Sequence, residues 1–299
     1  MKTLSTFSLM KKSQSAKKIE ISGQLLSDVQ AALLEMLKDF ASVCDKHGYY
    51  YSLSGGTALG AVRHGGFIPW DDDVDVFMVR KDYNAFLSVF DKELGDKYYI
   101  NSPSTTPEIG VPITQIMKKG TVFRTYNTPS TDRCGLYIDV FVLENAPPNK
   151  LLRTLHGLIS LGIGYGLSCA RFDKNKESLL SMFDESETEI IDAINKKARV
   201  GKLFRFSSVA QWARRYEKWN SICRNDDSKY VVCPTGLKHY FNYIFPRDIY
   251  CTTKKLKFED TELSVVANYD WALSNLYGDY MNVPPPEKRE KHYAIEVKV

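Results

Sequence analysis

One uninterrupted block carries most of the chemistry in this chain. Over residues 54–77 it reads Ser-Gly-Gly-Thr-Ala-Leu-Gly-Ala-Val-Arg-His-Gly-Gly-Phe-Ile-Pro-Trp-Asp-Asp-Asp-Val-Asp-Val-Phe. Gly55 and Gly56 give a turn whose backbone can come close to a bound group, and Thr57 adds a hydroxyl. Arg63 and His64 are cationic candidates for phosphate, with a surface role equally open. If Asp73–Phe77 is a strand, its period of two puts Asp73 and Asp75 on one face and Val74 and Val76 on the other. An acidic run alone reads as a solvated loop, but the apolar alternation through Val74, Val76 and Met78 draws this one into a core. Two carboxylates held close resist joint ionisation unless a positive charge sits between them. With only oxygen donors in the cluster, that charge is expected to be Mg2+ or Mn2+ rather than zinc.

A second strand-like run, Gly135 to Leu143, carries a lone acid, Asp139, among β-branched and aromatic residues. A buried, unpartnered carboxylate is costly, so Asp139 needs a partner. A metal shared with Asp73 and Asp75 supplies one. Asp139 is then a third ligand or the base that orients an acceptor hydroxyl, the inventory of metal-assisted phosphoryl transfer.

A Gly-Gly turn opening a helix, an Asp-x-Asp strand and a later strand Asp resemble the nucleotidyltransferase superfamily. The wording of residues 55–75 is similar to the LicD family of phosphocholine transferases, to which the fukutin-type transferases are related. Arg80-Lys81-Asp82-Tyr83, Asp139 in its Tyr-Ile-Asp-Val-Phe setting, Leu276 to Met281, and Pro284 to Arg289 with His292 resemble family landmarks in order. Ala58 and the proline-free Val265-Val266-Ala267 depart from the pattern without touching the expected ligands. The resemblance implies a metal-dependent transfer of phosphocholine from CDP-choline to a hydroxyl of a glycan or lipid-linked glycan, as in lipopolysaccharide, teichoic acid or capsule precursors. Lys288, Arg289 and His292 are then candidates to reach back to the donor phosphates. Transfer of phosphoethanolamine, a polyol phosphate or a sugar phosphate stays open, as does attachment of a nucleotide. A non-catalytic glycan- or nucleotide-binding relative is a further alternative, against which the three retained acids argue.

The elements that must position these residues follow from periodicity. Leu25, Val29, Leu33, Leu37 and Phe40 recur at helical spacing, predicting a helix over 24–46 that Gly48 ends. Strands are expected over 49–53, 73–79, 98–101, 113–118 and 136–143, with helices over 57–64 and 82–94. Pro147-Pro148 marks a break, beyond which residues 150–225 read as helical. Short strands over 230–232, 240–245 and 256–266 precede a closing helix over 269–277, whose Tyr277 and Trp271 are expected to pack. The fold class is therefore α+β, a nucleotidyltransferase-like mixed sheet flanked by helices. Residues 1–22 read as a basic tail, 23–145 as the catalytic core, and 146–299 as a helical insertion and C-terminal segment that complete the same domain.

At 299 residues the chain can bury a sizeable core. Its net charge of +4 and lack of an arginine-rich stripe exclude a dedicated nucleic-acid binder. Six cysteines without a Cys-x-x-Cys motif, and no secretory leader, read as reduced thiols of a cytoplasmic protein. Residues 151–170 are apolar but rich in glycine, and read as a packed core helix. Peripheral contact with the inner face of the membrane through this stretch, or through the five lysines before residue 19, stays open as a second reading.

Overall fold

A computed structural model of the chain describes Met10, Ser13 and residues 19–125, 133–236, 239–289 and 293–299. Its strands are β1 (Ile19–Glu20), β2 (Ser52–Leu53), β3 (Asp75–Val79), β4 (Tyr98–Asn101), β5 (Thr114–Lys118), β6 (Val122–Arg124), β7 (Tyr137–Ala146), β8 (Tyr230–Val232), β9 (Ile244–Pro246), β10 (Thr253–Phe258), β11 (Thr261–Val266), β12 (Tyr293–Ala294) and β13 (Glu296–Lys298). The longer helices are α1 (Gly23–His47), α2 (Gly55–His64), α3 (Arg80–Glu93), α4 (Lys150–Lys174), α5 (Thr188–Gly201), α6 (Val209–Asn220) and α7 (Tyr269–Tyr277). The fold is α+β with a mixed sheet.

The main sheet runs β10-β11-β2-β3-β7-β5-β4, with β8 and β9 continuing from the far end of β7. At its centre β3 and β7 are parallel, with Asp75 opposite Asp139 and Val76 opposite Val140. Val76, Met78, Ile138 and Val140 point to one side and pack with Phe40 of α1 and Phe86 and Phe90 of α3. Phe77 and Leu143 point to the other side, where Val231, Phe245 and Tyr250 meet them. Alternation therefore fixes Asp75 and Asp139 on the face of Phe77 and Phe141, whose rings touch edge to face at 6.2 Å.

Helix α1 lays Val29, Leu33, Met36, Leu37 and Phe40 on the sheet and ends where Gly48 takes φ 68°. Burying each of these large side chains stabilises the fold by roughly 1.5–3 kcal/mol. The second strand of the expected set is shorter than its pattern. Asp73 and Val74 precede β3 rather than belong to it, though Val74 O already accepts a bond from β7. A strand expected over 240–245 splits into a helical turn, His239–Asn242, and β9. The turn lets the Tyr240 hydroxyl reach His156 Nδ1 at 2.7 Å.

The stretch over 151–170 differs from its expectation as a packed core helix. It lies within α4, which buries His156, Gly157, Ser160, Gly166 and Leu167 but leaves Leu151, Leu152, Leu155, Leu158, Leu161 and Tyr165 exposed. Its C-terminal half packs against α5 and α6 through Leu167, Ala170 and Phe172, so only one side of the helix is covered. Among the described residues no helix is long and apolar enough to cross a membrane. All six cysteines are free thiols.

Candidate active site

The parallel pairing of β3 and β7 sets Asp75 beside Asp139 at the N-terminal ends of both strands. Neighbouring strands lie about 4.8 Å apart, so two carboxylates on one face there share a single environment. The Asp139 amide donates to Val74 O at 2.9 Å, which ties the Asp73–Asp75 segment to β7. Gln115, opposite Asp139 on β5, donates from Nε2 to Asp139 Oδ1 at 2.9 Å.

The glycine turn closes on these acids. Gly55 has φ 52°, and a Cβ there would stand 3.0 Å from Asp75 Oδ2. At Gly56 a Cβ would stand 2.8 Å from Asp71 Oδ2. Any side chain at either position would push the first turn of α2 off the carboxylates. Ser54 caps α2 without a side-chain hydrogen bond, and the closeness of Gly55 and Gly56 to Asp75 and Asp71 puts the positive end of the helix dipole beside the acids.

Asp71, Asp72, Asp73, Asp75 and Asp139 line one cleft of about 570 Å³, within the range of small-ligand sites. Gly56, Arg63, Lys288 and Arg289 line it too, and its aromatic walls include Trp70, Tyr137, Tyr277 and Tyr293. Burial pushes the Asp139 carboxyl up to about 7, opposed by the Gln115 hydrogen bond and reinforced by the charge of Asp73. Burial raises the Tyr277 hydroxyl, and the charges of Asp75, Asp71 and Asp73 push the same way. The Tyr137 and Tyr277 hydroxyls of this wall therefore stay protonated.

An all-carboxylate donor set suits a hard divalent cation, and a cation would reverse the upward shift at Asp139. Asp73, Asp75 and Asp139 are therefore the residues that could hold one. Among the described residues no three His, Cys, Asp or Glu side chains are drawn together tightly enough to form a ready-made metal cage. The acids thus surround a common space rather than a point.

Of the residues singled out from the sequence, Asp73, Asp75, Asp139, Gly56, Arg63, Lys288 and Arg289 meet in the cleft, and Gly55 backs onto it. Thr57 does not offer its hydroxyl to the cleft. It is buried, and Oγ1 accepts the Asp75 amide at 2.9 Å, which positions the strand. Arg63 anchors the far wall by donating from Nη1 to Tyr280 O at 2.8 Å, while His64 lies on the exposed side and accepts from Arg63 Nε at 2.9 Å. Arg289 lies over the Trp70 ring, 3.9 Å from its centroid. His292 falls outside the described residues. Tyr277, expected only to pack, stands in the cleft wall, with its hydroxyl 3.7 Å from the place of a Gly55 Cβ. Trp271, by contrast, packs edge-on against Tyr250. Sequence reading did not single out Asp71 or Gln115. Asp71 carried a signal in its contiguity with the acidic run, whereas Gln115 carried none.

Residues 48–149 match the family model described as LicD/FKTN/FKRP, nucleotidyltransferase domain. The lipopolysaccharide cholinephosphotransferase LicD of Haemophilus influenzae is 29% identical over 286 residues, covering 92% of this chain and 98% of that protein. This chain carries a LicD-family domain. Like its relatives in that family it is a phosphotransferase. The human ribitol 5-phosphate transferase FKRP is 45% identical over 51 residues, 17% of this chain and 10% of that protein. An uncharacterised protein of Rickettsia prowazekii is 38% identical over 69 residues, 23% of this chain and 24% of its own length. In this LicD-family chain the domain matched by the model contains the glycine turn and five of the six cleft carboxylates, while Asp279, Lys288, Arg289 and Tyr277 come from outside it.

Proposed function

We propose that this LicD-family enzyme transfers phosphocholine from CDP-choline to a hydroxyl of a cell-surface glycan precursor, such as one of lipopolysaccharide, teichoic acid or capsule, at the cytoplasmic face. The observation that carries the reading is a single cleft with an acidic floor, a basic rim and aromatic walls. A quaternary ammonium is attracted to aromatic faces, and Trp70, Tyr137 and Tyr277 offer them. Near full-length similarity to a lipopolysaccharide cholinephosphotransferase supports phosphocholine as the transferred group.

In this reading Asp73, Asp75 and Asp139 would hold Mg2+ or Mn2+, and the ion, when bound, would shield phosphate charge and polarise the transferred group. The glycine turn lets the α2 amides approach the donor phosphates. Arg63, Lys288 and Arg289 neutralise the remaining negative charge of the diphosphate and orient it in the cleft. Asp139 is a third ligand or the base that receives the acceptor's proton. Gln115 fixes its carboxylate in either role. The products are the phosphocholine ester of the acceptor and CMP.

A second reading, transfer of a polyol phosphate, is favoured by the match to the ribitol 5-phosphate transferase FKRP, although that match spans only a tenth of the relative. The test incubates purified protein with Mg2+, a lipopolysaccharide acceptor and a panel of CDP-choline, CDP-ethanolamine, CDP-ribitol and UDP-sugars, and measures released nucleotide by mass. CMP formed fastest from CDP-choline supports phosphocholine transfer, and CMP formed chiefly from CDP-ribitol replaces it with the second reading. Release of pyrophosphate means nucleotide attachment instead. Donor binding without release from any member of the panel identifies a non-catalytic relative.

A further inference from the structure

Over residues 150–165 the face of α4 that meets solvent is more apolar than the face it buries. A surface helix normally turns its apolar stripe inward. Here Leu151, Leu155, Leu158 and Tyr165 follow a spacing of four, three and seven residues, which places them on one side of the helix, and all are exposed, Leu151 by 77%. Over the same residues the opposite side is polar and satisfied, with Leu167, Ala170 and Phe172 packing inward only farther along. His156 bonds through its two ring nitrogens to Tyr240 Oη at 2.7 Å and Trp219 O at 2.9 Å, and Ser160 Oγ donates to Asn220 Oδ1 at 2.6 Å. Isolated exposed leucines need no explanation, but a continuous row does.

The row extends beyond the helix. Tyr165 meets Phe204 at 6.2 Å, Phe204 meets Phe206 at 6.5 Å, and Phe206 and Leu203 are 73% and 75% exposed. At the other end Phe241 lies against Gly157 and is partly exposed. Aromatic and aliphatic groups from three separate segments therefore form one apolar surface.

The charge on the segments that carry this surface is mainly positive, with Arg205 paired to Asp173. No Asp or Glu lies between Glu144 and Asp173, or between Asp192 and Glu217, while seven Lys and Arg fall in the second interval. Lys150, Arg199, Lys202 and Arg214 are exposed. An amphipathic face that joins leucine and aromatic groups to flanking cations suits the interface of an anionic membrane, where the apolar groups enter the acyl boundary and the cations meet headgroup phosphates. A second copy of the chain is a poorer occupant. A two-fold pairing through this surface would set the same basic rim against itself.

We propose that the exposed face of α4, with Leu203 and Phe206, docks the protein on an anionic phospholipid surface. This goes beyond the reading of the cleft and does not depend on it. Phe172, near the C-terminal end of α4, packs in one cluster with Met10, a residue that also lines the cleft.

The test is flotation of the full chain with vesicles of phosphatidylglycerol and phosphatidylcholine in equal parts, and with phosphatidylcholine alone. Binding to the mixed vesicles, about tenfold or more above that to the neutral ones, is expected. The double variant Leu155→Glu, Leu158→Glu should lose binding at least tenfold, roughly, with unchanged circular dichroism. The pair Arg199→Gln, Lys202→Gln, which leaves the apolar row intact, should weaken binding by about fivefold per charge. Replacing Lys2, Lys11, Lys12, Lys17 and Lys18 by Gln should leave most of the binding in place. The proposal is overturned if the wild-type chain does not float with anionic vesicles. Binding that survives the double glutamate variant but vanishes with the lysine set overturns it in favour of the N-terminal lysines. Light scattering that shows a dimer converted to monomer by the glutamates overturns it in favour of self-association.

Discussion

The sheet around β3 and β7 and the helical layer of α4, α5 and α6 treat polar groups in opposite ways. In the sheet, alternation sends Val76, Met78, Ile138 and Val140 inward and leaves Asp75 and Asp139 at a cleft, with glycines pressed against the acids. In the helical layer His156, Ser160 and Asn220 are buried and bonded to one another's neighbours, while leucines face out. The first arrangement places charge where a ligand can reach it. The second spends its polar groups on cohesion, where each satisfied bond contributes about 0.5–1.5 kcal/mol and leaving one partner unmade costs more. Substitutions in the two regions should therefore be read by different instruments, activity in one and stability in the other.

The sharpest break in that comparison is Asp75→Asn. Turnover should fall by about a thousandfold or more, because a charge aimed at the reacting phosphate is removed. The thermal midpoint should stay within a few degrees, roughly, since the substitution relieves like-charge repulsion without changing shape. Near wild-type turnover would take Asp75 out of the mechanism.

Trp212→Ala should do the reverse. Trp212 packs among Phe204, Phe206 and the Arg215 guanidinium, and its indole donates to Phe204 O at 3.1 Å. Its loss should cost about 3–5 kcal/mol in denaturant unfolding, with turnover kept at low temperature. A loss of turnover under conditions where the variant is folded would mean that the two regions are coupled.

The smallest effect is expected from pH. Asp139 has its folded value raised to about 7. A raised carboxyl means the folded state holds a proton that the unfolded chain has already released, so stability is highest below the ordinary carboxylate range and falls as pH rises toward 7. In metal-free protein the thermal midpoint should drop by several degrees, roughly, across that window, and saturating Mg2+ should flatten the drop. A midpoint that is flat without metal, or unaffected by it, would separate Asp139 from any cation.

Much of the sheet side was legible because its signals are local. The heptad-like row from Leu25 to Phe40 gave α1, the Gly-Gly turn gave α2, and Tyr98 to Asn101 and Tyr269 to Tyr277 fall where the pattern put them. The pairing of Val122–Arg124 with Glu296–Lys298 was not legible. It joins segments far apart in sequence, and Glu-Val-Lys has little strand preference of its own. Gln115 was invisible for a related reason, since only strand register places it against Asp139. Tyr277 was misread because a tyrosine at helical spacing carries the same pattern whether it fills a core or walls a cleft. The outward leucines of α4 reversed a reading from composition, which reports how apolar a stretch is and not which way it turns.

The hairpin of β10 and β11 sits next to β2, with Val265 paired in parallel to Leu53, and Glu259 at its tip accepts the Phe67 amide at 2.9 Å. During synthesis the glycine block therefore leaves the ribosome about two hundred residues before the strand that flanks it, an order-of-magnitude delay of ten seconds or more at ordinary elongation rates. Through that interval β2 has an open edge, a natural point for a chaperone to engage or for nascent chains to pair wrongly. Expression yield should then depend on how quickly the ribosome clears the message between those two segments.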